Sequence, residues 1–243
     1  MSKTVTEAIQ YRRSVRKYKQ EEIDEEKVKK CIENATLAPN SSNMQLWEFY
    51  HITDKKILQN LSKACFDQNA AKTAVNMVVF VTRRDKWKVR AKQNLHFLEK
   101  MFDKQEKAGI DVARRRKVSR RYYKKLMPTI YTDFFGLIGF YKKILSIFIG
   151  LFRPIYREVL YTDQKVIIHK SMALAAQNFM LSMSEIGYDT CPMEGSDTSR
   201  VKKILNLPRK AEINMIVGCG VRSEKGVYTE RFRVPFNEVY RKI

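Results

Sequence analysis

"CPMEGSDTSRVKKILNLPRKAEINMIVGCGV", residues 191–221, decides the fold class. Its opening "CPMEGSD" reads as a polar turn, and "DTSRVKKILNLP" as a short capped helix. "EINMIVGCGV" then reads as a central strand. Two glycines stand close together in that strand's end, but no helix opens behind them. The Gly-rich turn of a dinucleotide-binding fold is therefore absent. Helix and strand patterns interleave along the rest of the chain, which predicts an α+β fold around a buried sheet.

Upstream, "TVTEAIQYRRS" has the spacing of a short opening helix with Val5, Ala8 and Ile9 facing inward. "IDEEKVKKCIENATLAPN" predicts a second helix, with Asp24 as its N-cap and Val28, Ile32, Ala35 and Leu37 as its apolar stripe. Pro39 and Asn40 end it. "WEFYHIT" alternates as a strand does, "KKILQNLSKAC" returns to helical spacing, and "VNMVVFVT" reads as a buried strand. "QKVIIHKSMALAAQNFMLSMSEI", residues 164–186, predicts a long helix whose all-round apolarity suits a core or a subunit interface. His169 in it is expected to be an ordinary helix histidine. The tail "YTERFRVPFNEVYRKI" lacks periodicity and reads as an extended arm.

The net charge of +21 attracts polyanions and anionic surfaces. It is uneven: residues 83–125 hold 17 Lys and Arg against 5 Asp and Glu. Helix is expected from Trp87 to about Lys107, followed by a second basic stretch, "RRRKVSRRYYKK". The four cysteines form no CxxC pair and have no metal-ligand spacing with the three histidines, so no structural metal is expected. Cys191 and Cys219 are expected to be buried, inert thiols. "MSKTVTEAIQ" has no apolar h-region, and a reduced cytoplasmic setting is the expectation.

Three segments carry the chemistry. "RRSVRKY", residues 12–18, offers Arg12, Arg13, Ser14 and Arg16, forked donors and a hydroxyl suited to phosphate. "APNSSNMQLWEF", residues 38–49, is a polar loop able to recognise heteroaromatic edges. "CPMEGSD" offers free backbone N–H groups before a helix. Each is weak alone, but their order and separation, with "EINMIVGCGV" and "RFRVP" near the end, resemble the nitroreductase family.

That resemblance covers roughly residues 5–83 and 164–243. It implies a three-layer α+β fold, with a mainly antiparallel sheet between helices, in a homodimer that holds FMN at its interface. Residues 1–243 would form one FMN-binding domain. Arg12 and Ser14 would bind the FMN phosphate with Arg13 beside them, and Arg16 would lie at the pyrimidine edge of the ring. Asn40, Ser41, Ser42, Asn43 and Gln45 match the loop laid against the flavin by the second subunit. The backbone of Met193, Glu194 and Gly195 would face the ring, with an N–H toward N5. Arg231 and Arg233 would complete the phosphate site, and Gln68, with Lys72 less directly, would reach the ribityl chain or ring edge. The implied activity is transfer of hydride or electrons from NAD(P)H to a nitroaromatic, quinone or enone in ping-pong order. FMN carries such chemistry and the protein orients it, so no catalytic triad or acid pair is needed. Neither is found.

Two departures stand out. Leu46 precedes Trp47 where the family often has proline. The basic and aromatic section at about 84–162 is longer than a compact member requires and reads as a helical insertion. Within it, "FFGLIGFYKKILSIFIGLF", residues 134–152, is apolar but interrupted by Lys142, Lys143 and three glycines, which argues against a membrane span. The preferred reading is a lid that buries this surface against the dimer, because an exposed patch of that size threatens solubility. The alternative for residues 114–152 is peripheral contact with an anionic membrane. A different class of function follows from the charge alone: a membrane-surface or nucleic-acid-associated protein with a redox-inactive core. No nucleic-acid recognition motif supports specific binding of that kind.

Overall fold

The computed structural model describes residues 3–132 and 137–243. Asp133, Phe134, Phe135 and Gly136, the start of the apolar run, lie outside the described residues, as do Met1 and Ser2. The chain opens with α1 (Val5–Tyr11) and α2 (Glu25–Thr36), followed by a 3-10 turn at Ser41–Asn43 and β1 (Trp47–Ile52). Next come α3 (Lys55–Ala64), α4 (Asn69–Lys72) and β2 (Asn76–Thr82). Residues 84–162 contribute α5 (Trp87–Lys107), α6 (Ala113–Arg121), a π-turn at Tyr122–Leu126, α7 (Met127–Tyr131) and α8 (Leu137–Ile149). The chain ends with α9 (Tyr161–Glu185), β3 (Asp189–Met193), α10 (Thr198–Ile204), β4 (Glu212–Gly220) and α11 (Phe236–Val239).

The four strands form one antiparallel sheet in the order β1-β2-β4-β3. Side-chain alternation along the two inner strands makes the three layers. Met77, Val79, Val81 and Ile216 point to one face and pack with Leu58, Leu61, Ala70 and Val201 from α3, α4 and α10. Val78, Phe80, Met215 and Val217 point to the other and meet Val28 and Ala35 of α2 and Met172, Ala176 and Phe179 of α9. All seven residues of β2 are buried. Truncating Phe80 to Ala would cost about 3–5 kcal/mol.

Asp24 caps α2 by accepting from the backbone N–H groups of Glu26 and Lys27, as its position in the sequence requires. The close glycines of β4 serve packing. A Cβ at Gly220 would meet the Tyr18 ring at 2.9 Å, and one at Gly218 the Ala70 carbonyl oxygen at 2.9 Å. The Tyr18 hydroxyl in turn donates to the Gly218 carbonyl at 2.9 Å.

Several expectations are corrected. In α1 only Ala8 is buried; Val5 and Ile9 are exposed, because the helix meets α9 along a single narrow stripe. Leu37 is 79% exposed, since it is the C-cap of α2 and the chain turns away there. "CPMEGSD" is not wholly a turn. Its first three residues belong to edge strand β3, in which Pro192 pairs opposite Val217. An edge position tolerates proline.

Residues 84–162 build a third core. Ala91, Met127 and Tyr131 pack with Ile168 of α9 and with Met44 and Leu46 from the loop before β1. Leu46 is 5% exposed and anchors that core, which explains leucine at this position. The positive charge of α6 is partly answered by α5: Arg116 pairs with Glu99, Asp103 and Glu106, and Arg120 with Glu99. The expected burial of the apolar run is not seen within the chain. Phe140, Tyr141, Ile147 and Phe148 of α8 are exposed. Among the described residues no helix is long and apolar enough to cross a membrane.

Candidate functional site

The segment after α1 lies along the free edge of β3. Ser14 forms a parallel bridge with Thr190, and the Val15 N–H donates to the Thr190 carbonyl at 3.1 Å. Farther along, Tyr18 bridges Arg222 and the Arg16 N–H donates to the Gly226 carbonyl at 2.6 Å. This backbone pairing covers the sheet edge. It also turns Arg12, Arg13, Ser14 and Arg16 toward the C-terminal arm, where Arg231 and Arg233 wait. The six residues line one cleft of about 430 Å³.

The walls of the cleft are tied together by its own arginines. The Arg231 guanidinium donates to the carbonyls of Gln10 at 2.8 Å and Arg12 at 2.5 Å, while Arg13 donates to the Thr229 carbonyl. Below it, Asp189 is buried and accepts from the Arg222 backbone N–H at 2.8 Å and from Arg222 Nε at 2.9 Å. Burial, then the charges of Arg231 and Arg233, press the Arg12 guanidinium below its ordinary value. A positive group destabilised by positive neighbours marks a place where an anion would be welcome.

At the end of β3 the turn 194–197 meets the loop after α3. Gln68 Nε2 donates to the Gly195 carbonyl at 3.3 Å, and the Asp197 N–H to the Ala64 carbonyl at 2.8 Å. Met193 is buried, Glu194 and Gly195 are exposed, and a Cβ on Gly195 would meet nothing within 4 Å. Lys72 is exposed at the end of α4. The structure thus brings Gln68 to Met193–Gly195, and β3 links that corner to the arginine cleft roughly 10 Å away, three residues along the strand.

Asn40, Ser41, Ser42, Asn43 and Gln45 are elsewhere. They precede β1, at the opposite edge of the sheet, so about 19 Å of strand spacing separates them from Ser14. Their side chains are tied to one another and to the insertion. Asn40 Oδ1 accepts from the Gln45 N–H at 2.8 Å, and Ser42 Oγ lies 2.6 Å from the Tyr122 hydroxyl. Asn43 and Asn94 exchange hydrogen bonds at 2.8 Å each. Ser42, Asn43 and Gln45 all have positive φ, at 56°, 51° and 47°. Such left-handed non-glycine residues concentrate at sites where function repays strain. Phe66 and Asp67, just before Gln68, share this conformation at 59° and 48°.

Beside this loop lies a cavity of about 490 Å³, walled by Ser42, Tyr122, Met127, Ile130, Leu145 and Ile155 among others. It is largely apolar, with tyrosine hydroxyls and serines toward the loop. Residues 84–162 therefore both prop the loop and enclose space next to it.

Some of these residues gave no signal in the sequence. Tyr228, whose hydroxyl accepts from Asn69 Nδ2 at 2.7 Å, lines the arginine cleft and could have been found as a neighbour of Arg231. Asn94 is one of several polar residues in a basic helix and carried no signal. The buried Thr190 hydroxyl, with no hydrogen-bond partner, was equally silent. His169 has a structural role, as expected, with Nε2 at 3.3 Å from Glu212 and Nδ1 at 3.0 Å from Asn214. All four cysteines are free and buried. Burial lifts the Cys191 thiol and raises Cys31 to about 12 and Cys65 to about 11, so none is poised as a nucleophile. Among the described residues no cluster could hold a metal ion.

Similar proteins share this architecture. Protein DrgA of Synechocystis sp. is 26% identical over 230 residues, covering 94% of this chain and 89% of its own. YdgI of Bacillus subtilis, which carries "NAD(P)H nitroreductase" in its name, is 22% identical over 96% of this chain and 94% of its own. A structure from Exiguobacterium sibiricum, solved in complex with FMN, superposes with a TM-score of 0.67 at 21% identity, covering 100% of this chain and 99% of the other. The Nitroreductase family model matches residues 9–221, which takes in the arginine segment, the polar loop, all four strands and residues 84–162. The chain belongs to the nitroreductase family.

Proposed function

We propose that this protein is an FMN-dependent oxidoreductase, one FMN-binding unit over residues 1–243 with an insertion at about 84–162, working as a homodimer. The observation that carries the reading is the cleft where Arg12, Arg13, Arg16, Arg231 and Arg233 gather, five cations against one carboxylate, Glu230, among the described residues that line it. Burial and then the charges of Arg231 and Arg233 depress Arg12, and a phosphate dianion there would offset both. Ser14 adds a hydroxyl donor, and Arg13 fixes the arm by its hold on Thr229.

FMN, when bound, supplies the chemistry that carries electrons from NAD(P)H to an electron-poor acceptor such as a nitroaromatic, quinone or enone. The residues supply position and field. Arg16 would supply the cation for the pyrimidine edge of the ring. The backbone of Met193–Gly195 would face the ring, and the bare Gly195 would leave room for it. Gln68 holds that turn by its bond to Gly195. The Asn40–Gln45 loop cannot reach the cleft of its own chain, so a second copy provides it. The arm supports such pairing: Phe232, Phe236 and Val239 are all exposed. Reductant and acceptor would take turns at the same face, and the apolar cavity beside Ser42 suits the body of a flat acceptor.

The test is direct. Purified protein should be yellow, with absorption near about 450 nm, and should bleach anaerobically on addition of NADH or NADPH. Colourless protein that takes up no added FMN would end this reading.

A further inference from the structure

Helix α8 is built inside out. The stripe it turns to the protein is Gly139, Lys143, Ser146 and Gly150, with Lys142 alongside. The stripe it turns away is Leu137, Tyr141, Ile144 and Phe148, exposed by 66, 67, 39 and 61%. Both follow the i, i+3, i+4 spacing of opposite helix faces. The lysines are committed inward: Lys142 Nζ donates to the Thr132 carbonyl and Lys143 Nζ to the Arg157 carbonyl, each at 2.9 Å. Leu151 and Phe152 continue the apolar face past the helix end, exposed by 72 and 87%. A surface helix in water has the reverse arrangement.

The surroundings of this face are cationic. The sequence has no acid between Asp111 and Asp133, or between Asp133 and Glu158. Arg153 and Arg157 are exposed just beyond α8, and Arg157 Nη2 donates to the Gly150 carbonyl at 3.2 Å. Lys124 and Lys125 are exposed on the π-turn, whose Leu126 shares a cavity wall with Leu145 of α8. We infer that the outer face of α8 docks on an anionic lipid bilayer, lying in its interface while the flanking basic residues meet headgroups. At 13 residues the helix is about 20 Å long, too short to cross a hydrocarbon core of about 30 Å. An in-plane position satisfies both the apolar face and the basic rim. A second copy of the chain would bring the same positive rim against this one, whereas the bilayer brings the opposite charge.

The experiment is co-sedimentation of the full-length, FMN-loaded protein with phosphatidylcholine vesicles, with and without phosphatidylglycerol, at low and high salt. The expected result is binding to the phosphatidylglycerol vesicles that salt weakens. Arg153→Gln should weaken it roughly fivefold. The pair Ile144→Asp/Phe148→Asp should abolish it while flavin content and solution mass stay unchanged, because neither side chain lines the cleft or the cavity. Absence of binding to anionic vesicles would overturn the inference, as would undiminished binding by the double variant. A double variant that falls apart into monomers would show that the face belongs to a second copy instead.

Discussion

Arg231 clamps Arg12. Its guanidinium donates to the Arg12 carbonyl at 2.5 Å across 219 residues of sequence, so the two ends of the chain meet in one cationic cleft. Arg233 stands beside it with a different job, since among the described residues its guanidinium donates to the carbonyl of adjacent Phe232 and not across the cleft. Arg233→Ala should therefore leave the apoprotein's stability within about 0.5 kcal/mol of the parent. It should still weaken FMN by about one to two decades, through loss of a charge-assisted contact. Arg12→Ala should weaken FMN by a similar factor. Arg231→Ala should cost both affinity and thermal stability. Flavin titration with thermal unfolding of the apoproteins separates the three; unchanged affinity in Arg12→Ala and Arg233→Ala would put the phosphate elsewhere.

The wide separation of the Asn40–Gln45 loop from the cleft makes a prediction about assembly. If each flavin pocket takes its loop from a second copy, FMN binds the pair and not the lone chain. Removing FMN should then weaken the dimer by linkage. Sedimentation equilibrium with and without FMN reads this as a shift in the monomer–dimer constant. A monomer that binds one FMN per chain at full affinity would refute it.

How far the sequence carried this picture depended on the kind of signal each part left. β2 was plain because seven successive buried residues need no partner to be recognised, and α5 because its spacing runs unbroken from Trp87 to Lys107. β3 was hidden by Pro192 and by its brevity, and only pairing with β4 makes it a strand. The arginines of the cleft were legible as a family pattern, not as geometry, because residues 12 and 231 share no local context. The outward face of α8 was not legible for a physical reason. Composition shows that a segment is apolar, but which stripe faces the protein depends on where Lys142 and Lys143 find carbonyls.

Strain in the polar loop gives a further test. Gln45 holds φ at 47° although it is not glycine, and its N–H is bonded to Asn40 Oδ1. Gln45→Gly should relieve the local strain and leave stability within about 1 kcal/mol of the parent. It should nevertheless lower flavin affinity, because a side chain aimed by that backbone is lost. Asn94→Ala should act from farther away, by removing both hydrogen bonds to Asn43 and loosening the loop. A loop variant that kept full affinity and turnover would show that the strain serves packing alone.

Acid should loosen the joint between the sheet and the residues that follow β2. Arg83 follows β2 and reaches Glu48 on β1, while its other donors hold Asp85 at 2.8 and 3.0 Å; Lys86 also bonds Glu48. Burial opposes ionisation of Glu48, but the hydrogen bonds from Lys86 and Arg83 outweigh it and hold the carboxyl below its usual range. Asp85 is lowered too, chiefly by its bond to Arg83. Both folded-state values lie below the unfolded ones, so the unfolded chain binds more protons as pH falls. The stabilisation is complete above the ordinary carboxylate range near about 4 and is lost as pH drops through the lowered values. Glu48→Gln should therefore cost about 1 kcal/mol at neutral pH, a figure kept small by the partial exposure of the cluster. The difference from the parent should shrink toward zero on acidification below about pH 4. Urea unfolding of both proteins across that range measures it, and a gap that stays constant with pH would mean that Glu48 contributes through shape rather than charge.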